Sequence, residues 1–181
     1  MFILALLSDT LTLKPKDFGR DKKEIIVDEL NIKYSNKIIP NLGMCIAVRA
    51  IENVQHPKHI AGTSGVHIRV RFRVIVFRPF IGEVLLGTVS SADETGITIT
   101  LGGFFDDIYV GKSDLPFPSE YDKDKGLWSW NYEGNLFPLT SEEDVRFRVT
   151  DIKFTVSKPN RDELEGKMDA YIPPMKIVGT V

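Results

Sequence analysis

From His67 to Phe77 the chain reads His-Ile-Arg-Val-Arg-Phe-Arg-Val-Ile-Val-Phe, and this alternation constrains the fold more than any other feature. Successive side chains on a strand point to opposite faces. Arg69, Arg71 and Arg73 therefore share one face, and Ile68, Val70, Phe72 and Val74 share the other. A helix would scatter both sets around its circumference. The segment is expected to be an amphipathic strand with one face against a core. Arg78-Pro79-Phe80 breaks the pattern and sets the expected boundary between a first domain, 1–80, and a second, 81–181.

Upstream, Phe2 to Leu13 is dense in apolar and β-branched residues and reads as a buried strand, bulged at Ser8-Asp9 and ended by Lys14-Pro15. Met1 to Leu7 resemble a signal core only briefly. No basic segment leads them, and Ser8-Asp9 closes the run far short of a bilayer's width. Asp21-Lys22-Lys23-Glu24 has the spacing of a capping box. Beyond it Ile26, Leu30 and Tyr34 recur every four residues beside Val27, with Ile25 and Ile32 flanking, which predicts a helix with one apolar face. Asn36 to Gly43 is expected to turn with apolar residues at its tip, Met44 to Ile51 to be a buried strand, and Gln55 to Gly65 to be a loop.

The second domain is β throughout in its patterning. Strands are expected at 83–90 and 97–101 around an Asp93-Glu94-Thr95-Gly96 turn, then at 104–110. A loop follows from Gly111 to about Gly126, then strands at 128–132, 144–156 and 175–181, with a polar stretch at 158–169. Short strands at this spacing suit a small barrel such as the OB-fold. The expected fold class is α+β: an αβ domain followed by an all-β barrel.

Charge separates the two halves. Thirteen basic and seven acidic residues up to Phe80 give +6, and the ten basic and eighteen acidic residues after it give −8. Such asymmetry suggests two units with different partners, and the acidic half argues against avid electrostatic binding of nucleic acid. Cys45 is the one cysteine, so no internal disulfide forms, which fits a reducing compartment and a soluble intracellular protein.

Catalytic constellations are hard to find. His56 and His59 lie three apart in a loop and make a poor metal site with a single thiol in the chain. Asp106 and Asp107 are neighbours on a strand and face opposite ways. Asp122 and Asp124 could be imagined as a second carboxylate pair. Leu101-Gly102-Gly103 leads into more strand, the wrong context for a phosphate loop. No nucleophile system is evident, and no cofactor or metal is expected.

Three surfaces remain. The first is the turn Lys37, Ile38, Ile39, Pro40, Asn41, Leu42, Gly43; its plain reading is an ordinary helix-to-strand connection with the isoleucines turned inward. The second is the arginine face of the 67–77 strand, solvated in most proteins but suited to phosphates or an acidic partner. The third is the barrel, where Phe104, Phe105, Tyr109, Trp128, Trp130 and Tyr132 accompany Lys112, Arg146 and Arg148. OB barrels stack bases on such rings. Alternation buries every second ring, and Trp128, Trp130 and Tyr132, which share a face, are expected inside.

Taken in order, these pieces resemble the stalk subunit of multisubunit RNA polymerases, a family with archaeal members and with seventh-subunit homologues in the eukaryotic polymerases. Lys37 to Ile46 is similar to its N-terminal domain, and Val76 to Leu85 to its domain junction. Leu101 to Ile108, Trp128-Ser129-Trp130, Val145 to Val149 and Ile177 to Val181 look most like the RNA polymerase III branch. The resemblance implies a nuclear, non-catalytic subunit with an N-terminal tip domain and an OB barrel. It implies a small helical partner, docking on the polymerase core through Lys37–Gly43, and initiation factors met through the barrel. Weak contact with nascent single-stranded RNA would involve Lys112, Arg146, Arg148, Phe104 and Tyr109. A free-standing OB-fold RNA-binding protein, or the stalk subunit of another polymerase, is the alternative.

Overall fold

The computed structural model describes residues 1–15, 19–59, 62, 65–141, 143–155 and 173–181. The polar stretch 158–169 lies outside them. The chain forms two compact units, Met1–Arg78 and Pro79–Val181.

In the first unit β1 (Phe2–Leu13) precedes α1 (Lys22–Tyr34), followed by β2 (Lys37–Ile39), β3 (Gly43–Val54), β4 (Lys58–His59) and β5 (Val66–Phe77). The sheet order is β1-β5-β3-β2, with β4 also on β5. The central strand behaves as its alternation requires: Ile68, Val70, Phe72, Val74 and Val76 are buried and the three arginines are exposed. α1 covers the apolar face with Ile25, Ile26 and Leu30. Ile32 does not join them and is 73% exposed, because two residues beyond Leu30 is about 200° around the helix. The capping box does not form either. Asp21 stands at the N-cap but its side chain bonds no helix amide.

Two expectations for β1 fail together. It pairs with β5 in unbroken register from Phe2↔Phe77 to Leu13↔Val66, so there is no bulge at Ser8-Asp9. It is also an edge strand rather than a buried one, with only Leu11 and Leu13 in the core. The polar pair fits a regular ladder because each side chain finds partners on its own face. Ser8 Oγ accepts from Arg69 Nε at 3.3 Å, while Asp9 accepts from Lys33 Nζ at 2.5 Å and Tyr34 Oη at 2.8 Å, tying the strand to the end of α1. Burial pushes the Asp9 carboxyl up, but these bonds and the Thr10 amide outweigh it and hold the group below its ordinary value. Tyr34 is pushed up to about 12 by burial and by Asp9.

The second unit closes a five-stranded barrel, in the order β12-β13-β8-β7-β6, from β6 (Val84–Asp93), β7 (Gly96–Leu101), β8 (Phe105–Gly111), β12 (Asp144–Phe154) and β13 (Met175–Thr180). Ile97, Ile99, Ile108, Val110, Phe147 and Ile177 fill it. Gly87 lets the walls approach, since a Cβ there would stand 2.5 Å from Ile99 Cγ2. The Asp93 turn forms as read: its Oδ1 accepts from the amides of Thr95 and Gly96. The region read as a loop departs from expectation. A 3-10 turn at Lys112–Asp114 leads to β9 (Ser119–Asp122), which joins β10 (Leu127–Tyr132) and β11 (Asn135–Leu139) in a separate sheet ordered β11-β10-β9. Neither β9 nor β11 alternates clearly, and Pro138 speaks against a strand except at an edge, which is where β11 lies.

Candidate functional site

The structure offers surfaces, and the hairpin is the first. Ile39 to Leu42 is a tight turn in which Leu42 N donates to Ile39 O at 3.0 Å. Proline fixes the second position and Asn41 takes the third at φ 62°, a conformation asparagine tolerates. Gly43 ends the turn at φ 132°, where a Cβ would stand 2.4 Å from Phe77 O, so β3 and β5 lock the base of the hairpin. Lys37, Pro40 and Asn41 are exposed, and Ile38, Ile39 and Leu42 are half-buried. Ile39 and Leu42 pack on their own core, which narrows the outward apolar tip to Ile38 and Pro40.

The face of the sheet away from α1 is the second. Register puts Phe2, Leu4 and Leu6 beside Phe77, Ile75 and Arg73, and Ser8 and Thr10 beside Arg71 and Arg69. Phe2, Leu4 and Leu6 are 51%, 58% and 48% exposed. Arg73 pairs with Glu52 at 2.6 Å, whereas Arg71 has no ion pair among the described residues. An apolar half thus adjoins a basic half. Sequence reasoning found the arginines but missed the leucines, because an apolar run looks alike at a sheet's centre and at its edge.

On the barrel, the five residues expected at RNA do not form one site. Arg146 and Arg148 project from β12 opposite exposed Leu86 and Val84 on β6. Across β13, Tyr109 lies beside Val178 and Arg148 beside Thr180, so these residues flank one strand on the outer surface. The structure adds Lys176 and Lys153, a cross-strand pair on that surface. Sequence patterning gave no hint of them, because the strands are distant in the chain and their pairing is not encoded locally. Tyr109 is poorly placed for stacking: Lys176 Nζ sits 4.3 Å from its ring centroid and its hydroxyl donates to Thr95 Oγ1 at 2.7 Å. Lys176 also faces Asp107, whose carboxyl is pushed up by burial and by Asp106. Lys112 lies elsewhere, 5.8 Å over the Trp128 ring, and Phe104 sits in the β7–β8 turn.

The aromatic row on β10 is neither wholly inside nor wholly outside. Trp128 is buried and its Nε1 donates to Asp93 O at 2.8 Å. Trp130 is half-buried and Tyr132 exposed, so burial falls along the strand away from the Trp128 contact with Asp93.

No three His, Cys, Asp or Glu side chains converge on a metal-sized site among the described residues, and no helix among them is long and apolar enough to cross a membrane.

Comparison with known proteins gives the context. The family described as RNA polymerase III subunit Rpc25 matches residues 83–178. The SHS2 domain found in the N terminus of Rpb7p/Rpc25p/MJ0397 matches residues 8–65. The chain is 34% identical to DNA-directed RNA polymerase III subunit RPC8 of Bos taurus over 88% of its own length and 79% of the relative's. It is 35% identical to the same subunit of Saccharomyces cerevisiae, over 88% and 76%. With DNA-directed RNA polymerase subunit Rpo7 of Saccharolobus shibatae it shares 28% identity over 87% and 86%.

Proposed function

The chain belongs to the family of RNA polymerase III subunit Rpc25, and from that premise we propose that it is a non-catalytic, nuclear stalk subunit of DNA-dependent RNA polymerase III. The observation that carries the reading is the coincidence of similarity along the chain with a surface whose apolar side chains are exposed. Docking on the polymerase core is assigned to the hairpin Lys37–Gly43. Its turn is fixed by Pro40 and Gly43, so little conformational entropy remains to be lost on binding. Ile38 and Pro40 supply the outward apolar contact, and full burial of one aliphatic side chain contributes about 1.5–3 kcal/mol.

The small helical partner is assigned to the open sheet face, where Phe2, Leu4 and Leu6 present a stripe too apolar to be left in water by design. Initiation factors and nascent RNA fall to the barrel. RNA contact rests on Arg146, Arg148, Lys153 and Lys176 as a cationic track, because Lys176 already occupies the open face of Tyr109. Such binding is weak, tolerant of sequence and steeply salt-dependent.

The test is reconstitution. Ile38→Asp places a charge where apolar contact is required and leaves the residues that pack on the core, Ile39 and Leu42, untouched. Core polymerase lacking the stalk should capture the wild-type chain with its partner and lose the variant. Equal recovery of both would remove the hairpin from the docking surface.

A further inference from the structure

The β9–β11 sheet belongs to neither the barrel wall nor the cationic track, and its chemistry is its own. Trp130 lies opposite Phe137, and Tyr132 follows on the same face of β10. The rings pack as a cluster, with centroids 5.1 Å apart for Trp130–Tyr132 and 5.9 Å for Trp130–Phe137. Despite that packing, Tyr132 and Phe137 are 50% and 49% exposed. Trp130 Nε1 is enclosed and meets no acceptor among the described residues, which is unusual for a buried donor. The cluster is therefore an aromatic surface that its own sheet leaves incomplete.

Charge decides what could cover it. Between 116 and 144 the sequence carries seven carboxylates and two lysines, a balance of −5. Both lysines are committed, Lys123 to Glu94 at 2.8 Å and Lys125 to Asp122 at 3.5 Å. Glu133 occupies the turn at the exposed end of the row, next to Tyr132. A nucleic acid strand would bring phosphates into this field and be repelled. Strand addition along the β11 edge, where Phe137 lies, is also discouraged, because Pro138 removes a ladder donor there.

We infer that the Trp130–Tyr132–Phe137 face is a docking surface for a protein segment that is basic and carries apolar anchors, held by its face rather than by strand addition. The cation charges meet the carboxylates around the sheet and the anchors cover the rings, a combination in which aromatic residues contribute most of the affinity. The assignment rests on the sheet's own chemistry and does not require the polymerase reading.

The chain's two tryptophans, Trp128 and Trp130, both lie on β10, so tryptophan emission, excited selectively over the five tyrosines, originates on this sheet. The full-length chain is titrated with an alternating Lys-Leu peptide, with the matching Glu-Leu peptide and with oligouridylate. The Lys-Leu peptide should change the emission saturably. Its affinity should fall at least tenfold in Tyr132→Ser/Phe137→Ser and severalfold in Glu133→Gln, a surface change that leaves the packing alone. The Glu-Leu peptide should do nothing. An unresponsive emission, equal binding of the two peptides, oligouridylate binding that competes with the Lys-Leu peptide, or full affinity in Glu133→Gln would each overturn the assignment. Should the double variant fail to fold, Glu133→Gln and the Glu-Leu control decide.

Discussion

The two units solve the problem of sheet edges in opposite ways. The barrel closes β12 onto β6 through a continuous ladder from Asp144↔Thr88 to Arg148↔Val84, so its wall has no free edge. The first unit keeps β1 at an edge, twelve residues long, with the apolar side chains of Phe2, Leu4 and Leu6 in solvent. Long apolar edges invite association and are normally blunted. The difference teaches that the barrel wall satisfies its own ladder, while the first unit leaves one long edge open. Charge divides as well, since the half with the open edge is the basic one.

The largest effect should come from the core beneath the open sheet. Phe72 is fully buried against α1 and contacts the Tyr34 ring at 5.5 Å. Phe72→Ala should cost about 3–5 kcal/mol in urea unfolding. A small loss would mean that this unit's stability does not come from its own core. Leu4→Asp or Leu6→Asp sharpens the contrast: each should weaken partner binding by about 1.5–3 kcal/mol, more than tenfold. The chain's own unfolding midpoint should stay almost unchanged, and a large loss of stability would show that the face is core after all. Val84→Asp on the closed barrel should leave partner binding alone.

Gly43→Ala tests the hairpin's anchor. The strained backbone and the approach to Phe77 O should cost about 1–3 kcal/mol, read as a lower unfolding midpoint. Asp9→Asn is smaller, about 1 kcal/mol at neutral pH. Because folding depresses this carboxyl, its contribution is complete above the unfolded value of about 3.9 and fades as pH falls through the lower folded value. Wild type and variant should therefore converge in acid, and a gap that persists there would contradict the assignment. Cys45 gives the smallest effect. It is fully buried and burial pushes its thiol up, so alkylation in the native state should be slow. Rapid labelling would mean that the sheet opens.

Legibility in the sequence followed the reach of the forces involved. The β5 alternation, the helix after Asp21, the Pro40-Asn41 turn and the barrel strands all rest on local periodicity or turn chemistry, and they stand in the structure. Most of what failed depends on pairing between distant segments, the Asp21 capping box and the placement of Ile32 being the local exceptions. Whether Phe2–Leu13 lies at a centre or an edge is decided by which strands flank it, and its apolar residues look the same either way. Lys153 and Lys176 meet only because β12 pairs with β13. The aromatic row on β10 shares a face, as its period of two requires, yet its burial grades from Trp128 to Tyr132 because only the Trp128 end is held at Asp93. Ile39 and Leu42 lean on their own core, which a turn's sequence does not reveal.

The most direct measurement is to purify the tagged chain from its own cells under native conditions and quantify what accompanies it by mass spectrometry. The account predicts the core subunits of RNA polymerase III in equal proportion, with one small helical partner that remains when salt strips the core away. Recovery of the chain alone, or with RNA but no polymerase subunits, would contradict it.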